Sequence, residues 1–228
     1  MKKLFLAICI FFATNLFAQD SLTIFIGADR NVSEVLTPNK IYKYPDFLPG
    51  RILFRNGTVA DGKFNYNYLN GEIEFIKKDT LAISKNQMLN IKTVTVAGDT
   101  FFYNKGYLQQ VMLMPLGKLL KKQTLVVTKR EKIGGYNQPS STSAIESYGS
   151  FTDNFGNFTP SLKIKENITL ALRSDYYFGD KYNVFLPANK KNLLKSYPGK
   201  ANQINQYLKQ HSVNFKKEAD IKKLLAIL

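Results

Sequence analysis

From Ile41 to Val127 the chain alternates apolar and polar positions in short runs, punctuated by Asn, Gly and Asp. "RILFR" stops at Asn56-Gly57, and "GKFNYNYL" stops at Asn70-Gly71. "EIEFIKK", "TLAIS", "IKTVTVAGD", "TFFYNKGYLQQVML" and "KKQTLVVTK" follow. Period-two runs bounded by turn residues predict a meandering antiparallel sheet. "SLTIFIGADR" adds an earlier strand over Ser21 to Ile26, and the polar stretch to Lys40 reads as loop or linker. In "GYLQQVMLMPLGKLLKK" a helix competes with strand, although Pro115 and Gly117 interrupt it. The clearest hairpin is "FNYNYLNGEIEFI". A two-residue Asn70-Gly71 turn would oppose Tyr68 to Ile73, Asn67 to Glu74 and Tyr66 to Phe75. One face then carries Phe64, Tyr66, Tyr68, Ile73 and Phe75. The other carries Asn65, Asn67, Glu72 and Glu74, and is read as facing solvent.

The pattern breaks twice. Residues 132–158, "KIGGYNQPSSTSAIESYGSFTDNFGNF", lack periodicity and read as a long loop, before "SLKIKENITLALRSDYYFGD" resumes strand character. From Pro187 the period becomes helical. A short helix ends at Tyr197 before Pro198, "ANQINQYLKQH" aligns Ala201, Ile204, Tyr207 and Leu208, and "KKEADIKKLLAIL" aligns Ile221, Leu224, Leu225 and Leu228. Phe215 lies between the last two as a candidate anchor. The expected fold is α+β: an antiparallel body over residues 19–186, sandwich-like or a curved meander, then a helical tail over 187–228 packed on it.

Residues 1–18, "MKKLFLAICIFFATNLFA", have the basic start and short apolar run of a cleaved export signal. The run is shorter than the roughly 20 residues a spanning helix needs, so no transmembrane span is expected after cleavage. The single cysteine, Cys9, lies inside it, which leaves a mature chain without thiol chemistry and suits a bacterial periplasmic, outer-membrane-associated or extracellular protein. The formal charge of +15 falls to +13 when Lys2 and Lys3 are removed. In an exported chain this favours an anionic envelope component, a glycan or a protein as partner over nucleic acid. The tail concentrates the charge. Nine lysines (Lys190, Lys191, Lys195, Lys200, Lys209, Lys216, Lys217, Lys222 and Lys223) stand against Glu218 and Asp220, a net +7. An amphipathic, anion-facing module and a plain solvated face are both consistent with that count.

Catalytic chemistry has little support. Glu72 and Glu74 on one strand face would hold carboxyls about 6–7 Å apart, near the spacing of inverting glycosidases. Such pairs, however, normally come from different elements lining a cleft. His211 is the sole histidine and sits at a predicted helix end, where a cation suits the dipole. Ser141, Thr142 and Ser143 lack a nucleophile elbow. "DNFGN", Asp153 to Asn157, lacks the calcium-loop spacing. No cofactor or metal is expected. The segment "SDYYFGDKYNVF" gathers Tyr176, Tyr177, Phe178, Lys181 and Tyr182, a candidate ligand or partner surface of aromatics beside a cation.

Three stretches, "YPDFLPGRILFRNGTVADGKFNYNYLNGEIEFI", "KIGGYNQPSSTSAI" and "LPANKKNLLKSYPGKANQINQYLKQHSVNFKKEADIKKLL", resemble a family of secreted proteins of Gram-negative bacteria. The resemblance implies export and a β-rich body with a Lys-rich helical tail, and it supplies no catalytic residue. The expected function is a non-enzymatic, envelope-associated binding or structural role. A glycan- or anionic-lipid-binding module and a glycan-active hydrolase are the alternatives.

Overall fold

The computed structural model describes residues 22–76, 80–82, 88–133 and 166–228. The expected export signal, nearly all of the long loop, Ser141 to Ser143 and the Asp153–Asn157 stretch lie outside these residues. Among the described residues eleven strands form one antiparallel sheet: β1 (Thr23–Ile26), β2 (Leu48–Phe54), β3 (Val59–Asn67), β4 (Glu72–Ile76), β5 (Thr80–Ala82), β6 (Ile91–Val96), β7 (Asp99–Tyr103), β8 (Tyr107–Met114), β9 (Gly117–Lys132), β10 (Glu166–Gly179) and β11 (Phe185–Pro187). Their order is β1-β10-β9-β8-β7-β6-β2-β3-β4-β5, with β11 also on β10. Two helical turns, α1 (Val32–Val35) and α2 (Pro38–Ile41), occupy the stretch read as loop. Asn31 caps the first, and Pro38 begins the second. Three helices close the chain: α3 (Lys190–Ser196), α4 (Ala201–Gln210) and α5 (Glu218–Leu225). The fold is α+β, a meander with helices at its C-terminal side.

The sheet coils. Five strand steps separate β3 from β9, about 24 Å in a flat sheet. Yet the Tyr66 hydroxyl donates to the Gln123 carbonyl at 2.8 Å. The Leu125 and Tyr107 amides donate to the carbonyls of Tyr68 (2.7 Å) and Gly71 (2.8 Å). Inside the curl, Tyr66 stacks on Phe101 with centroids 5.6 Å apart. Ile52, Phe64, Ile73, Met88, Ile91, Val94, Val96 and Tyr107 complete that cluster of buried residues.

This closure corrects the hairpin register. Asn67 pairs with Glu72, Tyr66 with Ile73 and Phe64 with Phe75, two residues away from the tight-turn expectation. Tyr68 and Leu69 therefore leave the strand and join Asn70 and Gly71 in a four-residue loop. A shift of two keeps every strand side chain on its face, so the aromatic face remains core. The loop is pinned from outside by the bonds to Leu125 and Tyr107 and by the Tyr68 amide donating to Ile41.

The polar face of β3 and β4 is not solvent-facing. Asn65, Asn67 and Glu74 are buried, because residues 42–47 lie across them. The chain pairs with the β3 edge through the Lys43 amide to Tyr66 and resumes at Leu48 opposite Phe64. Between these points the Asn65 side chain supplies the missing partners. Its Oδ1 accepts from the Tyr44 amide (3.1 Å), and its Nδ2 donates to the carbonyls of Tyr44 (2.8 Å) and Asp46 (3.1 Å). The Glu74 carboxylate accepts from the Tyr42 hydroxyl (2.6 Å) and from Asn67 Nδ2 (2.8 Å).

The stretch where helix competed with strand is β8, a turn at Pro115-Leu116, and β9. Pairing with β10 along nearly all of β9 overrides the local helical spacing.

Candidate interaction surface

β9 and β10 present their two faces to different layers. On one face Leu119, Tyr176 and Phe178 pack against Leu193 and Tyr197 at α3, Ile204 of α4, and Ile221, Leu224 and Leu225 of α5. On the other, Leu120 packs with Phe102 and Leu108, and Tyr177 and Phe185 lie against them. Strand alternation therefore divides the aromatic segment. Tyr176 and Phe178 are buried, Tyr177 is half-buried on the opposite face, and Lys181 and Tyr182 stay exposed with the ammonium 4.9 Å from the ring centroid. The five residues do not form one surface.

The helical tail uses its apolar stripe on the body. Ile204, Ile221, Leu224 and Leu225 are buried, and Tyr207, Leu208, Phe215 and Leu228 pack at the edge. Lys190, Lys191, Lys195, Lys200, Lys209, Lys216, Lys217 and Lys223 are exposed. Lys222 is half-buried against Glu218 at 2.7 Å. Glu218 also meets Lys121 of β9 at 3.3 Å, so it clamps α5 to the sheet. His211 stacks on Tyr207 at 4.1 Å and caps the exposed end of α4, a structural position.

Glu218 carries a pH signature. Burial alone would raise its acid, but Lys222 and Lys121 outweigh burial and hold it below its ordinary value of 4.5. A folded-state acid that is stronger than the unfolded one stabilises fully above pH 4.5 and loses that contribution as pH falls below it. The stability difference between the native protein and Glu218→Gln is thus about 1 kcal/mol or less at pH 7. Urea unfolding at pH 3 should show it shrinking; a gap that widens in acid refutes the clamp. Tyr176, beside Glu218, is raised to about 12 by burial and by that carboxylate.

A second polar group lies where the β3–β4 loop meets β8 and β9. Lys122 Nζ donates to the Lys105 carbonyl at 2.7 Å and packs on Gly71 and Gly106. Burial lowers its basicity, and Glu72 counteracts this. Burial raises Tyr107, and the Glu72 charge adds to it. Glu72 therefore acts on Lys122 and Tyr107, whereas Glu74 is occupied by Tyr42 and Asn67. The two carboxylates have separate surroundings rather than a shared cleft. Among the described residues no group of three or more His, Cys, Asp or Glu is placed to hold a metal, and no helix is long and apolar enough to cross a membrane.

Sequence reading missed the end of the sheet where β8 turns into β9 and β10 into β11. Leu113, Leu116 and Val184 are exposed there with Tyr182. The only local signal was "LMPLG", an apolar run passing through a turn instead of stopping before it. No protein-family model, curated protein or solved structure matches the chain.

Proposed function

We propose that this is an exported, non-catalytic envelope protein that binds an anionic envelope component through its basic helical layer. The observation that carries the reading is how the tail is used. Its apolar stripe is spent on the β-body, so the lysines of a net +7 segment lie on the outside. Such a layer attracts polyanions over roughly a Debye length, about 8–10 Å at physiological salt. The leader-like first residues and the resemblance to secreted Gram-negative proteins support the location. The separate settings of Glu72 and Glu74 support binding over hydrolysis.

Co-sedimentation with isolated Gram-negative envelopes tests this reading. Binding is expected at low salt, weaker in 0.5 M salt, and reduced several-fold when Lys190, Lys191, Lys195, Lys209, Lys216, Lys217 and Lys223 are all replaced by Gln. Retention indifferent to both salt and these lysines overturns it. So does glycan turnover that is lost in Glu72→Gln.

A further inference from the structure

Three turns meet at the end of the sheet beside α3. A Cβ at Gly117 would lie 2.7 Å from the Gly179 carbonyl and 3.2 Å from the Tyr197 hydroxyl, which places the β8–β9 turn against both the end of β10 and the turn after α3. The Tyr197 hydroxyl lies 3.8 Å from Met114 Sδ. Lys118 at the start of β9 donates to Asn183 in the β10–β11 turn. Residues 113–117, 179–184 and 197–200 therefore form one rim.

That rim is apolar and exposed. Leu113 is 69% exposed, Leu116 67%, Tyr182 74% and Val184 56%. The turn carrying Tyr182 and Val184 is braced from within. The Asp180 carboxylate accepts from the Tyr182 and Val184 amides at 2.9 and 2.8 Å, and the Asp180 amide donates to the Val184 carbonyl at 3.2 Å. The turn is thus fixed with Tyr182 and Val184 held outward. Lys181 in that turn, Lys195 near the end of α3 and Lys200 after Tyr197 are exposed, and the Lys181 ammonium lies over the Tyr182 ring. No Asp or Glu occurs between residues 107 and 130 or between 181 and 200, and Asp180 is engaged by its own turn.

We propose that this rim docks on a bilayer containing anionic phospholipid, with Leu113, Leu116, Tyr182 and Val184 entering the interfacial region and the lysines meeting the headgroup phosphates. Aliphatic tips with a tyrosine among them, accompanied by lysine, match the boundary between acyl chains and headgroups. A soluble polysaccharide would satisfy the lysines and leave four apolar side chains in water. The proposal rests on the reading that the partner is an anionic envelope component, and it names which component.

The chain has no tryptophan, so Tyr182→Trp installs a single fluorescent reporter on the rim. Leu89→Trp provides the control. Leu89 is 66% exposed and precedes β6 at the opposite end of the sheet, because β7 and β8 each reverse direction after it. With the full chain purified after export, vesicles of phosphatidylglycerol and phosphatidylethanolamine should blue-shift Trp at 182 and leave Trp at 89 unchanged. Phosphatidylcholine vesicles should shift neither. The double variant Leu116→Ser with Tyr182→Ser should weaken vesicle partitioning about tenfold or more, with denaturant unfolding unchanged because both side chains are already in water. Equal shifts at both positions, no shift at 182, or partitioning indifferent to the double variant overturns the proposal. Envelope sedimentation that persists without vesicle binding overturns this inference alone and makes a polysaccharide the occupant. A rim-dependent dimer without vesicle binding makes the occupant a second copy of the chain and likewise overturns it.

Discussion

Gly50→Ala is expected to destabilise the protein by about 3 kcal/mol, lowering the melting temperature by about 6–12 °C for a chain of this size. Gly50 lies in β2, paired with Gly62 of β3 on one side and Val96 of β6 on the other. A Cβ there would run into the Thr95 carbonyl oxygen and sit 2.9 Å from Phe64 Cδ2. The first obstacle is backbone and cannot rotate away. Relief requires β2 and β6 to separate, and this ladder is what joins the first strands of the meander to the rest. Gly199→Ala is the matched control, since a Cβ there meets nothing within 4 Å. Thermal unfolding of the two variants should differ by most of the stated shift. If they melt together, the close approach in β2 has no energetic weight.

Asn65→Ala should cost a similar amount, about 3 kcal/mol, by a different route. The substitution strands the Tyr44 amide and the carbonyls of Tyr44 and Asp46, and an unsatisfied buried backbone group costs about 1–3 kcal/mol. Some recover water as the covering segment lifts, which holds the total below the sum. Asn65→Asp keeps the acceptor for the Tyr44 amide, loses both donors and brings a buried charge, so it should be no better than alanine. Denaturant unfolding gives the magnitude. Limited trypsin digestion gives the mechanism, because loosening residues 42–47 should expose the bond after Lys43. Normal stability with Lys43 still protected would show that Asn65 is not what holds the strap.

The sheet was legible because its information is local. Alternation, together with Asn-Gly punctuation, marks strands wherever one face is buried. The tail helices followed from 3.6-residue spacing, and Ile204, Ile221, Leu224 and Leu225 are buried as that spacing requires. What failed to show was decided across the chain. Nothing between Phe64 and Ile76 announces that Tyr68 and Gly71 will bond to Leu125 and Tyr107, so a tight Asn-Gly turn was the reasonable local answer. Asn65, Asn67 and Glu74 are polar at alternate positions, which describes a wet face equally well as one covered by a polar strap. The division of Tyr176, Tyr177 and Phe178 between two layers was implicit in strand alternation. The apolar rim was not, because it is assembled from three turns more than 60 residues apart at its extremes.

The coiling of the sheet also bears on how the chain reaches its structure. β2 to β5 pair in succession, and so do β6 to β10; these ladders close over short connections, apart from the 33 residues between β9 and β10. The β2–β6 ladder, and then the Tyr66 to Gln123 bond spanning 57 residues, bring distant segments together. Ordering a longer loop demands more entropy before any contact is gained, and non-local pairing slows folding. By that reasoning the two meanders should form early, and the long-range β1–β10 ladder and the seam between β3 and β9 should form late. Until the seam forms, Tyr66, Phe101 and Tyr107 have no enclosure, so a nascent chain waiting at that stage presents its most aromatic surface to its neighbours.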